Sequence, residues 1–410
     1  METTINQKHT IDTFYQAFSR FFERTGYYGI RSLLLLYMLK GVLKLQEQDA
    51  VTIYSWFVST LLFSQILGAI IGDFLLNKKK TIVIGCSMQA LGALSLCMPN
   101  SFGLFLGLGL VNLGGGLCTP NMIARFGKLY INKTNLIDSA FTQYYVAINL
   151  GAFLGGACIG FLSNRFGSSV GFISCSILML LSLVFTIISK DSDYIESIRK
   201  SLPMNHRIAK IVIGIILVSL FWALYQISNL SMDDLQMQFE KNNFWNIPIV
   251  FWTAMNSVFM IPACIIMAIL WSFFFSSSYF KLSIGFLLGA LAFISILCTP
   301  LLDSDQQPLL YIFATLLLAI AEVHIGPIIY SIIIQYANPK YFSLIISLVF
   351  IPGRIFSYLI MLGGFFYANH VLAIQFSSAI MSLIGLSLLI YVLVNRKNES
   401  KTKELNRESN

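Results

Sequence analysis

Of the 410 residues, 56% are hydrophobic and only 11% are charged, with a mean hydropathy of +0.74 and a formal net charge of +8. A soluble domain carries roughly 25% charged residues, so a water-soluble globular class is excluded and an all-α integral membrane protein is expected. The basic excess sits in short hydrophilic breaks and in the tail "NRKNESKTKELNRESN", where it reads as a topology signal and not as a nucleic-acid surface.

A membrane-crossing helix needs about 20 apolar residues. Twelve stretches qualify in chain order, within 24–45, 52–76, 80–99, 102–126, 139–163, 168–189, 208–229, 247–273, 280–300, 308–334, 341–367 and 370–394. The breaks between them are short and rich in turn formers, as in "CMPNSFG", "LSNRFGSS" and "YANPKYF". The longest break falls halfway along. The chain thus divides into a first six-helix half (1–189), a linker (190–207), a second half (208–394) and a tail (395–410), the layout of a two-half transporter. Lys78, Lys79, Lys80, Lys128, Lys133, Arg199, Lys200, Arg207 and Lys340 fall on one side, with both ends of the chain. The positive-inside rule makes that side cytoplasmic and the linker with it, in a cytoplasmic (inner) membrane. The N-terminus has no short apolar core followed by a cleavage site, so no signal peptide is expected.

The first span carries the most informative residues. Arg20, Arg24, Tyr27 and Arg31 stand at i, i+4, i+7 and i+11, on one helix face, with Glu23 and Tyr28 beside them. Charges do not face lipid, so this stripe lines a water-filled cavity or pairs across the bundle. Arginine suits a carboxylate because its planar fork binds both oxygens. Three arginines against one glutamate leave positive charge for an anion. An interhelical ion-pair network without a ligand is the alternative. Cys86, Cys97, Cys118, Cys158, Cys175, Cys264 and Cys298 lie in apolar segments without C-x-x-C spacing and read as small packing residues. Neither metal nor cofactor is expected.

"FFERTGYYGIR" resembles the first-helix motif E-x-x-E-R-F-x-Y-Y-G of the proton-dependent oligopeptide transporters (POT), a branch of the major facilitator superfamily. Glu23, Arg24, Tyr27, Tyr28, Gly29 and Arg31 match it, while Arg20 takes the place of the first glutamate. "GGGLCTPN" is similar to the fourth-helix run G-x-G-x-x-K-P-N, with Thr119 in place of the lysine. "DSAFTQYYVAINLG" resembles the fifth-helix signature, with Asn149 in place. "FWALYQ" resembles the seventh-helix F-W-A-x-F-E, with Trp222 matching and Gln226 at the acid's position. "IPIVFWTAMNSVFMI" aligns Trp252 and Asn256 with the eighth helix, and "AEVHIGP" places Glu322 on the tenth-helix glutamate. "GAIIGDFLLNKKK" resembles the superfamily's loop after the second helix, where Asp73 can sit at a neighbouring helix N-terminus.

The resemblance implies the major facilitator fold of twelve transmembrane helices in two halves, and a monomer that moves di- and tripeptides by alternating access, coupled to protons. Arg24 and Arg31 would take the substrate carboxylate, Glu322 and Gln226 its ammonium. Tyr27, Tyr28, Trp222 and Trp252 would line side-chain pockets, and Asn149 and Asn256 would bind substrate or join helices. Arg20, Thr119 and Gln226 replace the family's charged residues, which leaves Glu23 and Glu322 as proton-coupling candidates. Glu322 and His324 lie two apart on one helix and face different ways, with His324 read as a satisfied interhelical donor. A transporter or exporter of another small zwitterion or anion, such as an amino acid or siderophore, is the alternative; a sensor or scaffold is a further one. The chain contains no H-E-x-x-H motif and no P-loop, so it is read as no enzyme, and hydrolysis within it cannot drive transport.

Overall fold

A computed structural model describes residues 8–40, 44–191, 203–242, 245, 247, 249–274, 276–349, 351–362 and 369–408, and all regular structure among them is helical. The elements in chain order are α1 (Ile11–Lys40), α2 (Glu47–Ile70), α3 (Lys78–Ser95), α4 (Ser101–Lys128), α5 (Ile137–Leu154), α6 (Ser168–Ile188), α7 (Met204–Lys241), α8 (Ile249–Phe273), α9 (Ser278–Cys298), α10 (Gln307–Ile325), α11 (Ile328–Tyr336), α12 (Phe342–Leu348), α13 (Ile351–Leu362) and α14 (His370–Glu408). Two π turns, Ile71–Leu75 and Gly155–Ile159, extend α2 and α5, the latter into a short helix Gly160–Phe166.

Ten helical stretches among the described residues are long and apolar enough to cross a membrane, so the chain is a multi-pass membrane protein. The other two expected spans, 24–45 and 80–99, fall on α1 and α3. Both helices carry three or more charged residues, which lowers their mean hydropathy. Several boundaries differ from expectation. Helix α7 runs to Lys241, well past the expected end at 229, because no glycine or proline interrupts it after Gly214. The expected span 308–334 divides at Gly326–Pro327, where proline lacks the N–H that would continue the helix. The tail expected at 395–410 continues α14 as far as Glu408. Most of the expected linker, 192–202, and the end of the eleventh span, 363–367, lie outside the described residues.

The chain forms two compact units, Met1–Ile211 with Tyr330–Val349, and Val212–Ile329 with Phe350–Asn410. In the first, Tyr27, Ile30, Leu34 and Met38 of α1 share a buried cluster with Phe57, Ala90, Ala93, Val111, Phe172 and Cys175. Lipid is as apolar as leucine, so close fit rather than water exclusion holds such helices together. Pro120 removes one backbone donor within α4, and α2 crosses there. A Cβ on Gly68 would stand 2.2 Å from the Gly116 carbonyl oxygen, and one on Gly116 2.3 Å from the Ser64 backbone. Only glycine fits at that crossing. Asp73 binds Lys78 Nζ at 2.5 Å and accepts the Leu344 N–H at 2.8 Å at the start of α12. Asn121 donates to the Gly68 carbonyl at 2.8 Å and accepts from the Ser343 hydroxyl at 2.9 Å.

The second unit is built around aromatic contacts. Phe221 meets Phe286 edge-on at 5.5 Å. Gly285 leaves room for Ile325, and a Cβ there would approach its Cδ1 to 2.7 Å.

Candidate functional site

In the first unit, α1 turns the stripe inward. Glu23 is fully buried, and Arg20 and Arg24 are 3% and 6% exposed. Arg24 grips Glu23 through both carboxylate oxygens, Nε to Oε2 at 2.7 Å and Nη2 to Oε1 at 2.6 Å. Arg20 Nη1 adds a third bond to Oε2 at 2.9 Å, and Gln89 of α3 a fourth to Oε1 at 3.1 Å. Both guanidiniums also reach the Thr119 hydroxyl at 3.3 Å. The lysine expected from the resemblance is absent at 119, but Arg20 brings a cation to the same hydroxyl from α1. Two guanidiniums over one carboxylate leave a net positive charge, and Arg20 Nε and the buried Tyr144 hydroxyl have no partner among the described residues. Tyr27 lies under Arg24 at 4.7 Å. One turn on, Arg31 donates to the Tyr54 hydroxyl at 2.9 Å and lies 5.9 Å from the Tyr28 ring, with no acidic partner among the described residues. A buried ion pair and a half-buried arginine therefore share one helix face.

In the second unit, α10 presents Glu322, 5% exposed. Asn256 of α8 donates to Glu322 Oε1 at 2.8 Å and lies 3.3 Å from the Tyr225 hydroxyl, which also bonds the carboxyl. No cation pairs with Glu322 among the described residues. His324 faces away, its Nδ1 bonded to the Ile320 carbonyl at 2.8 Å and its ring edge-on to Trp271 at 5.6 Å. It is satisfied, but by its own helix and not across helices.

Trp252 is 1% exposed and packs against Phe239 at 5.1 Å, one turn from Asn256. Its indole Nε1 and the Asn256 Oδ1 are buried without a partner among the described residues. Of the remaining expected residues, Trp222 touches these groups through Tyr225, while Gln226 and Asn149 bond elsewhere. Trp222 packs on Tyr225 at 5.5 Å, exposed Gln226 accepts from Ser357 at 3.2 Å, and Asn149 donates to the Tyr145 carbonyl of its own helix at 2.9 Å. Gln89, Tyr54 and Tyr225 went unrecognised in the sequence. Gln89 is a lone amide in an apolar stretch, and Tyr54 and Tyr225 stand among other polar side chains that repeat no charged stripe. A larger apolar cleft of about 410 Å³ between α2 and α4 is lined by none of the charged residues above.

The family model of the Major Facilitator Superfamily matches residues 17–357. Dipeptide and tripeptide permease A of Serratia proteamaculans (strain 568) is 32% identical over 174 residues, covering 42% of this chain and 34% of the permease. Dipeptide and tripeptide permease B of Shigella dysenteriae serotype 1 (strain Sd197) is 33% identical over 175 residues, covering 42% and 35%. The chain spans about a third of the length of these curated relatives. A crystal structure of the peptide transporter POT, as a glutamate-to-glutamine mutant, superposes with a TM-score of 0.62 at 20% identity, over 93% of this chain and 94% of that one. The POT family transporter PepTSo gives 0.62 at 17% identity, over 95% and 99%. Such identities show the fold. With the family model covering most of its length, the chain belongs to the Major Facilitator Superfamily, and its matches lie in the POT branch that its motifs resemble.

Proposed function

We propose that the protein is a secondary transporter of di- and tripeptides that works by alternating access and is coupled to protons. The observation that carries this reading is the division of charge: a net-positive arginine cluster in the first unit, and a buried acid without a cation among the described residues in the second. A zwitterion has the matching ends. Its carboxylate is a ligand for Arg24 and Arg31, and its ammonium for Glu322, with Asn256 holding that carboxyl in place. Tyr27, Tyr28 and Trp252 border these groups, while Asn149, Trp222 and Gln226 complete the proposed binding set. Glu23 and Glu322 are the proton-coupling candidates. The protein acts as a monomer in the cytoplasmic membrane, with halves 1–189 and 208–394 and both termini inside. Permease names among the relatives and POT transporters among the structural neighbours support this reading.

Binding of an unmodified dipeptide, against an N-acetylated and a C-amidated version, tests it. Both blocked peptides should bind at least about tenfold more weakly, since each lost charge-assisted bond costs about 1.5–3 kcal/mol. Equal binding of all three would remove the zwitterion from the account. A second reading is favoured by Arg20, whose charge on Glu23 leaves the first unit positive: the substrate is a small anion or another small zwitterion. If the site takes a small anion, the N-acetylated peptide binds as well as the parent.

A further inference from the structure

A polar cavity of about 200 Å³ lies inside the second unit, bordered by Asn229, Asp233 and Gln236 of α7, Trp252 and Asn256 of α8, and Tyr311 of α10. Three helices each turn one face to it. On α7 the lining residues are Tyr225, Asn229, Met232, Asp233 and Gln236, spaced as one helical stripe. On α10 they are Tyr311 and Thr315, with Glu322 further along the same face at i+11. The ends are defined. Gln236 donates to the Tyr311 hydroxyl at 2.7 Å beside exposed Asp233, and Asn256 donates to Glu322 at 2.8 Å at the other end. Eight residues of α7 separate Tyr225 from Asp233, about 12 Å of helix.

Trp252 and Asn256, which border the cavity, each keep a buried atom without a partner among the described residues, the Nε1–H donor and the Oδ1 acceptor. Amides, hydroxyls and a carboxylate make up most of the lining, so water is at home there, and several waters fit at about 30 Å³ each. No lysine, arginine or histidine lines the cavity, so nothing repels a proton from it. The ionisable groups facing Glu322 are Tyr225 and Cys264, with Asp233 at the far end. Glu23, in contrast, is held by two guanidiniums and an amide.

We infer that this cavity is a water file through which Glu322 exchanges its proton with the outer solution, with Asp233 at the mouth. An excess proton on outer water passes along the file by hydrogen-bond exchange, and the Glu322 carboxylate becomes the neutral acid. The same path in reverse releases the proton. This rests on the proposed proton coupling and orientation, and it selects Glu322 over Glu23 as the coupling acid.

The test uses the full-length protein in liposomes. The carbonyl stretch of protonated Glu322, assigned by its loss in Glu322→Gln, is followed by infrared spectroscopy after transfer from H₂O to D₂O. Asn229→Leu fills the file and should slow the isotope shift by on the order of tenfold, the effect of about 1.4 kcal/mol of added barrier. Asp233→Asn, at an exposed position, serves if the filled variant does not fold, and should slow gradient-driven uptake by about tenfold through loss of the attracting charge at the mouth. Dipeptide counterflow at equal pH should remain at the wild-type rate in both variants. Unchanged isotope exchange in folded Asn229→Leu would overturn the inference. So would parallel loss of peptide affinity and counterflow, which would make the cavity a peptide pocket. A protein that moves no dipeptide but still shows slowed exchange in Asn229→Leu would retain the file and discard the substrate.

Discussion

Glu23 holds two guanidiniums on one carboxylate, and this ratio determines how each arginine responds to removal. Arg24→Ala removes the bidentate grip and leaves Glu23 to Arg20 and Gln89, at a cost of about 1.5–3 kcal/mol for the lost charge-assisted bonding. It should lower the melting temperature of the purified protein as well as abolish dipeptide binding. Arg31 bonds only the Tyr54 hydroxyl among the described residues, so Arg31→Ala should melt like wild type while affinity falls on the order of 10–100-fold. Equal melting losses in the two variants would show that Arg31 is structural. Arg24→Lys should recover only part of the stability, because a point charge cannot bridge both Glu23 oxygens. The stripe was legible because four residues repeat on one helix face. Gln89 and Tyr54 were not, since neither belongs to a charged residue pattern that repeats along its helix. The α7 stripe behind the water file was hidden for a different reason: Asp233 and Gln236 lie in a segment that composition alone marks as a break between spans.

Helices meet here through small residues, and Gly116 shows how tightly. A Cβ at this position would lie 2.3 Å from the Ser64 backbone, a distance no rotamer change can relieve. Gly116→Val should cost at least about 1–3 kcal/mol by overpacking and appear as a broadened or aggregated peak in size-exclusion chromatography in detergent. Gly109 has nothing within 4 Å of a Cβ, so Gly109→Ala should elute as wild type. Matching profiles for the valine and alanine variants would contradict the close crossing of α2 and α4. Asp73 links Lys78 to the start of α12. Asp73→Ala should therefore raise amide hydrogen exchange at Leu344, measured against residues elsewhere in the first unit. Element existence was legible from apolar length. Boundaries were legible where asparagine, glycine or proline stands between apolar stretches, but not at Gly326–Pro327, which lies inside the expected span 308–334, nor in α7, where an amphipathic extension continues the helix without lengthening the apolar stretch.

At the scale of the whole molecule, twelve apolar stretches and a central hydrophilic break were readable from the sequence, and the superfamily match agrees with the fold they imply. The separation of roles between the two acids was not readable. Glu23 and Glu322 both appear in sequence as lone glutamates in apolar helices. Only folding shows that one is held by arginines and the other by an amide and a phenol. Glu322→Gln therefore tests coupling: substrate exchange between the two sides should continue, with affinity lowered by about tenfold for the lost charge, while accumulation driven by a proton gradient disappears. A double variant, Glu23→Gln with Glu322→Gln, that still accumulates peptide would refute both coupling candidates. The most direct measurement of the central claim is uptake of a labelled dipeptide by wild-type protein in liposomes, with and without an inward proton gradient. The account predicts that the gradient drives internal peptide above the external concentration, and that without it uptake stops at equality. Uptake that never exceeds equality under the gradient, or no uptake at all, would contradict it.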